Sequence, residues 1–269
     1  MYSAILHRLG VAFVSLSLVF PVIVQSAEKY RLGVAPVMDY ERTIKTYQPL
    51  ADYLSQEAGI EIELVPARNF ISYWSSMRKP GHYDFVFDGA HLAAYRVNKM
   101  DHKLLAKVSG VLSFTLISRS DDLVLDPEEL INRKVAVQAS PNLGGVLVFN
   151  LFNNPARLPQ LVEVKTAIDA LDAVRSKRAD AAYVPTQIVS NYPDAAVIVT
   201  SDPLPNMTMT ASPRVPDEVV QAVRKSLYEA KRSEKAAAVL AAMSIEGFDQ
   251  AKRSDYTGLE RLLEGMWDY

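Results

Sequence analysis

The sequence predicts an α/β fold of mainly parallel sheets covered by helices, with a chain that crosses into a second lobe and later returns. Three observations predict it. Short apolar strands alternate with amphipathic helices from residue 30 onward, the order that produces a parallel sheet buried on both faces. Leu112 to Ser118 (LSFTLIS) is a strand followed by the helix start Asp126-Pro127-Glu128-Glu129. Met207 to Ala211 is a strand followed by Pro216-Asp217-Glu218 and a long helix. The last two read as a paired hinge, not a sequence repeat.

Taken in order, Met1 to Gly10 carries Arg8 and no acid, Val11 to Val24 is apolar apart from two serines, and Ser26 and Ala27 precede Glu28. That succession is a secretory signal over residues 1–27, too short in its apolar part for a membrane span, with no Cys for a lipid anchor. An uncleaved anchor is the alternative. Tyr30 to Ala35 is a strand ended by Pro36, and a helix from about Arg42 to Ala58 closes at Gly59. Ile60, Ile62 and Leu64 alternate with Glu61 and Glu63 as a half-buried strand. Asn69 caps a helix carrying Phe70, Tyr73, Trp74 and Met77, which Pro80-Gly81 ends. A buried strand at Phe85 to Phe87, a helix to about Met100 and a strand at Leu104 to Val108 complete the first section. Beyond the crossing, strands are expected at Lys134–Gln138, Leu161–Lys165, Ala181–Val184 and Val197–Thr200, with helices at about Val146–Phe152 and Ala167–Ser176, the latter capped by Thr166. Helices are expected to fill most of the chain from residue 216 to Met266. Without residues 1–27, which hold one Arg, 28 basic side chains face 31 acidic ones, a formal net charge of −3 that argues against a nucleic-acid surface. The absence of Cys excludes disulfides, thiol catalysis and Cys-ligated metal.

The ordered segments resemble the phosphate/phosphite/phosphonate-binding proteins of ABC importers. YRLGVAPVMDYERTIKTYQPLADYLSQEAGIEIELVPARNF is similar to that family's first strand, helix and second strand, with Pro-Leu-Ala-Asp-Tyr-Leu at 49–54 and Leu-Val-Pro at 64–66. HYDFVFDGAHLAAYR resembles its next strand-to-helix turn, VAVQASPNLGGVLV its second-lobe anion loop, RADAAYVPTQIV the strand closing that lobe, and SIEGFDQAKRSDYTGLERL its C-terminal segment. The resemblance implies a type 2 periplasmic-binding fold, with residues 28–111 plus 207–269 as one lobe and 112–206 as the other. It further implies a small-molecule ligand in the inter-lobe cleft, no cofactor, and a soluble periplasmic monomer that docks to an ABC permease. The same fold also serves sensors that signal to a membrane kinase, and a ligandless interaction protein is a third reading.

Ligands of open α/β sheets sit beyond the C-terminal strand ends. Such ends fall at Pro36–Tyr40, Pro66–Asn69, Asp88–His91 and Ala139–Gly145, with a fifth after Val184. In the loop 140–145, Ser140, Asn142, Gly144 and Gly145 precede a helix start suited to an anion, or form an ordinary turn. The family's Ser-Thr-Ser run is missing here. Pro185 stands where amine-recognising members place an acid, with Thr186 beside it, which argues against an aminoalkylphosphonate. Tyr40 is either a ligand contact or a packed surface ring. Asp88, beside Gly89, is expected to accept from a ligand or merely to make a turn. His91 is expected to donate to an anion or titrate near neutrality, or else to face solvent. Arg68 binds a carboxylate or phosphate, or forms a surface ion pair. Tyr183 lines the cleft or the core. His82, His91 and His102 lack metal-site spacing, and no hydrolase or phosphate-loop motif is present, so neither metal nor catalysis is expected. The expected mechanism is hinge closure on the ligand.

Overall fold

The computed structural model of the protein describes residues 28–266, so the signal expected at 1–27 lies outside the described residues. The first lobe opens with β1 (Lys29–Val34), α1 (Tyr40–Ala58), β2 (Glu61–Pro66), α2 (Phe70–Met77), β3 (Phe85–Asp88), α3 (Ala90–Lys99) and β4 (Lys103–Val108). Local chemistry sets most of these boundaries. Asp39 accepts the Arg42 amide at 2.8 Å and so starts α1 two residues before the apolar spacing suggested. Gly59 ends α1 at a φ of +66°, a conformation that disfavours any side chain. Asn69 and Ser72 bond each other's backbone in a reciprocal cap at the start of α2.

Two residues of β5 (Val111–Leu112) then lead into β6 (Phe114–Arg119), so the expected single crossing strand is broken at Ser113. The second lobe continues with β7 (Lys134–Gln138), α4 (Leu143–Leu147), β8 (Gln160–Val164), α5 (Ala167–Arg175), β9 (Ala181–Pro185) and β10 (Ala195–Thr200). Asp126 and Glu129 form a reciprocal cap, yet only a four-residue 3-10 turn follows, because Asn132 at φ +66° redirects the chain into β7. α4 starts three residues before the expected Val146 and passes into a 3-10 turn at Val148. The return consists of β11 (Leu204–Pro205) and β12 (Thr208–Ala211), followed by α6 (Asp217–Glu229), α7 (Ala237–Met243) and β13 (Phe248–Asp249). From Arg253 onward the chain forms 3-10 turns, at Arg253–Tyr256 and Leu259–Leu263, where helix was expected.

The strands assemble into a six-stranded sheet ordered β2-β1-β3-β12-β4-β13 and a five-stranded sheet ordered β10-β6-β9-β7-β8, while β5 pairs with β11 between them. β1, β2 and β3 are parallel as expected, but β12 enters antiparallel between β3 and β4. In the second sheet β7 is parallel to β8 and β9, and β6 is antiparallel to β9 and β10. Side-chain alternation fills both faces of that sheet. Leu116, Val135, Val137 and Tyr183 join one apolar cluster, and Ile117, Ala136, Ala182 and Val184 the other. The first lobe buries Leu32, Leu50, Phe87, Leu105, Met209 and Leu227 in its main cluster, each worth about 2 kcal/mol of burial. Among the described residues no helix is long and apolar enough to cross a membrane.

Candidate functional site

The loops after β1, β2 and β3 face those after β7 and β9 across the groove between the sheets. A cavity of about 210 Å³ lies there. The first lobe lines it with Val37, Phe70, Gly89, His91 and Leu92, the second with Phe114, Gln138, Pro141, Asn142, Leu143, Gly144 and Pro185, and Leu112 and Asn206 close it at the hinge. A wider depression of about 700 Å³ shares Val37, Phe70 and Asn142 with it and opens outward past Asp39, Tyr40, Arg68, Ser140, Glu163 and Lys165. The lobes touch by direct hydrogen bonds. His91 Nε2 donates to the Pro141 carbonyl at 2.8 Å, and Gln138 Nε2 donates to the Val37 carbonyl at 3.3 Å. The arrangement is a closed cleft with a small, largely apolar chamber and a polar, charged mouth.

The expected site residues divide into three groups. Gly89, His91, Asn142 and Gly144 line the inner chamber, and Tyr40, Arg68, Ser140 and Asn142 line the mouth. Gly145 stands behind them. A Cβ there would lie 2.5 Å from the Gln138 carbonyl oxygen and 2.7 Å from the Ser140 nitrogen, so the close approach of α4 to the end of β7 requires glycine.

Three expectations are corrected. Asp88 does not face the cleft: it is fully buried, with Arg96 donating to its two oxygens at 2.5 and 2.7 Å and the Tyr73 hydroxyl donating at 2.5 Å. A carboxylate at the end of a buried strand has here found its cation eight residues later, where α3 folds back over β3. Tyr183 lies in the core against Phe114 and borders a separate depression with Leu259 and Leu262. Thr186 is held at the hinge, its hydroxyl 2.8 Å from Ser113 Oγ and 2.9 Å from Thr115 Oγ1, and Pro185 takes the wall position instead.

Phe70, Phe114, Gln138, Leu143 and Asn206 were not foreseen. Gln138 ends β7 and Phe70 opens α2, so scanning every strand end and helix start would have found those two. Phe114 and Asn206 carry no local signal. Among the described lining residues of the inner chamber, His91 is the one titratable side chain. Burial lowers its pKa, against partial support from the Pro141 carbonyl and Asp88, which keeps the ring neutral at pH 7. A carbonyl only accepts, so Nε2 carries the proton and Nδ1 is bare. Nδ1 is buried without a hydrogen-bond partner. Among the described residues no group of three His, Cys, Asp or Glu is placed to hold a metal ion.

Residues 32–256 match the model of the ABC transporter, phosphonate, periplasmic substrate-binding protein family. No curated protein sequence matches the chain significantly. Solved structures of the same shape include PhnD1 from Prochlorococcus marinus in complex with methylphosphonate, at 12% identity and a TM-score of 0.74, covering 87% of this chain and 97% of that one. A Xanthomonas citri protein bound to ATP aligns at 16% identity and a TM-score of 0.72, over 88% of this chain and 97% of its own. A binding protein component of an ABC phosphonate transporter from Pseudomonas aeruginosa aligns at 16% identity and a TM-score of 0.70, over 88% and 86%. At such identities the structures speak for the fold, a two-lobed type 2 binding-protein architecture. The family match covers most of the sequence. The chain therefore belongs to the periplasmic substrate-binding proteins of phosphonate ABC transporters, a family of solute carriers and not of enzymes.

Proposed function

We propose that the protein captures a small phosphonate-type anion in the inner chamber and hands it to an ABC permease. The observation that carries this reading is the chamber itself: about 210 Å³, closed by loops of both lobes and bridged by their hydrogen bonds. That volume lies below the range of drug-sized pockets, which suits a solute of a few heavy atoms. Phe70, Leu92, Phe114 and Leu143 suit a short alkyl substituent. No charged side chain lines the chamber, so the headgroup would be held by backbone amides and by the side-chain amides of Asn142 and Asn206, in place of the hydroxyl run that is missing from the loop 140–145. Burying a charge without such partners is costly, which sets a strict limit on ligand charge. In this reading residues 1–27 export the chain, the mature monomer works in the periplasm, and 28–111 with 207–269 close as one body on 112–206.

The test is a melting screen with methylphosphonate, phosphite, phosphate, small carboxylates and uncharged solutes of similar size. A ligand at a hundred times its Kd stabilises by about 2.7 kcal/mol, a Tm rise of about 5–10 °C for a chain of this length. Methylphosphonate is expected to give that rise. A rise with uncharged solutes alone would exclude the anion.

A further inference from the structure

The space between the lobes does not end at the inner chamber. The mouth is the larger compartment, about 700 Å³ against about 210 Å³, and Val37, Phe70 and Asn142 wall both. A solute of a few heavy atoms fills the chamber and leaves the mouth to water. The two compartments also differ in kind. No charged side chain lines the chamber, whereas the mouth has Asp39 and Arg68 from the first lobe and Glu163, Lys165 and Asp169 from the second.

Their partners sort these charges. Asp39 accepts the Arg42 amide at 2.8 Å in the cap of α1, and Asp169 accepts the Thr166 amide at 3.0 Å in the cap of α5. Both carboxylates lie against positive helix ends, which offset part of their charge. Among the described residues the side chains of Arg68, Glu163 and Lys165 form no hydrogen bond and no ion pair. These three are exposed, and together they leave one net positive charge at the mouth.

Both cations are anchored close to the chamber. Arg68 comes just before Asn69, whose reciprocal bonds with Ser72 fix the start of α2, and Phe70 follows in the wall of both compartments. Lys165 follows β8. Its backbone carbonyl accepts Gln138 Nε2 at 2.9 Å, and the same nitrogen reaches the Val37 carbonyl at 3.3 Å. Gln138 lines the chamber, so one side chain separates the Lys165 backbone from it.

We propose that the solute carries a carboxylate joined to its phosphonate by a short chain, and that Arg68 of one lobe and Lys165 of the other hold this second group in the mouth. The inference rests on the phosphonate reading of the chamber. A carboxylate matches the mouth in charge and shape. Its single negative charge balances the one left over by Glu163, and its two oxygens fit the fork of a guanidinium. A second phosphonate dianion exceeds that charge and faces Glu163. An uncharged substituent leaves both cations with water alone. Because the two cations come from different lobes, the carboxylate gains both contacts only when the cleft is shut, and so it favours the closed form. Exposed pairs of this kind are each worth a few-fold at most, so the two together give about tenfold in affinity.

Calorimetry on the mature chain tests this with phosphonoacetate, 3-phosphonopropionate and 4-phosphonobutyrate, each beside its carboxamide, and with methylphosphonate and butanoate. One of the three acids is expected to bind about tenfold tighter than its carboxamide, an advantage that shrinks in about 0.5 M salt. Arg68→Gln and Lys165→Gln should each reduce that ratio, and the double variant should bring it to about one. Methylphosphonate binding with no acid better than its carboxamide overturns the inference and leaves the phosphonate function standing. A ratio that survives the double variant overturns the assignment to these two residues. Failure of every phosphonate to bind, or butanoate binding as tightly as the best acid, overturns the functional reading and this one with it.

Discussion

Arg96 is the largest side chain sealed completely from solvent among the described residues, and its surroundings explain why a charge survives there. Burial works against the guanidinium, but the Asp88 carboxylate more than offsets it, so the Arg96 pKa is raised. Nε donates to Thr210 Oγ1 at 3.0 Å, and the same hydroxyl lies 3.3 Å from His102 Nδ1. His102 takes the consequence. Burial first, and the Arg96 charge second, push its pKa down to about 3. In the unfolded chain a histidine titrates near 6.5. Between pH 6.5 and 3 the unfolded chain therefore binds a proton that the folded chain refuses, so stability is full above 6.5 and falls as pH drops through that window. His82 and His91, both lowered by burial, act in the same direction. Tm measured from pH 7 to 4 is expected to fall steeply, and His102→Gln, which keeps a partner for Thr210 without titrating, should give a visibly flatter profile. An unchanged profile in that variant would remove His102 from the account.

At the scale of the element, the segment from β7 into α4 matters most. Gly144 leaves room for the Phe114 ring, which would come within 2.9 Å of a Cβ, and Gly145 lets the helix start lie on the backbone of Gln138 and Ser140. The second contact is with backbone on both sides and cannot relax by a side-chain rotation. Gly145→Ala should cost about 1–3 kcal/mol in denaturant unfolding and also weaken ligand binding, because the chamber wall at Pro141–Gly144 must shift to admit the methyl. Retention of native affinity and stability would show that the close approach is dispensable. Elements of this kind were legible in the sequence where their causes are local. Gly59, Asn69 and Thr166 act within four residues and read correctly as helix ends. Asp126 to Glu129 also read correctly as a cap, but whether a helix continues depends on the chain turning at Asn132 toward β7, which a cap does not encode. Asp88 was misread because its partner Arg96 comes from the next helix, and Phe114 and Asn206 went unseen because their place in the wall exists only once the hinge pair forms.

For the molecule as a whole, the lobes are joined by more than β5 and β11. The turn at Leu259–Leu263 bridges the lobes: Leu263 belongs to a first-lobe cluster, Leu262 packs on the second-lobe core, and Met266 touches both. Because it packs on both lobes at once, this strap is expected to favour the arrangement seen here. With no native Cys, labels can be placed singly at Ile71 in one lobe and Ile168 in the other, both exposed. Leu262→Ala is expected to lengthen the ligand-free distance between these labels in fluorescence transfer, with ligand restoring the wild-type value. An unaltered distance would mean that the strap does not bias the lobes. The antiparallel entry of β12 between β3 and β4 has a different consequence, for the order of assembly. The five strands of the second lobe lie within residues 114–200, an unbroken stretch able to condense by itself. The first lobe has an open slot in the middle of its sheet until residues 208–211 emerge, some 120 residues after β3. A nascent chain that stops before that point has no surface on which the N-terminal strands can finish pairing, so the part of the protein made first is completed last.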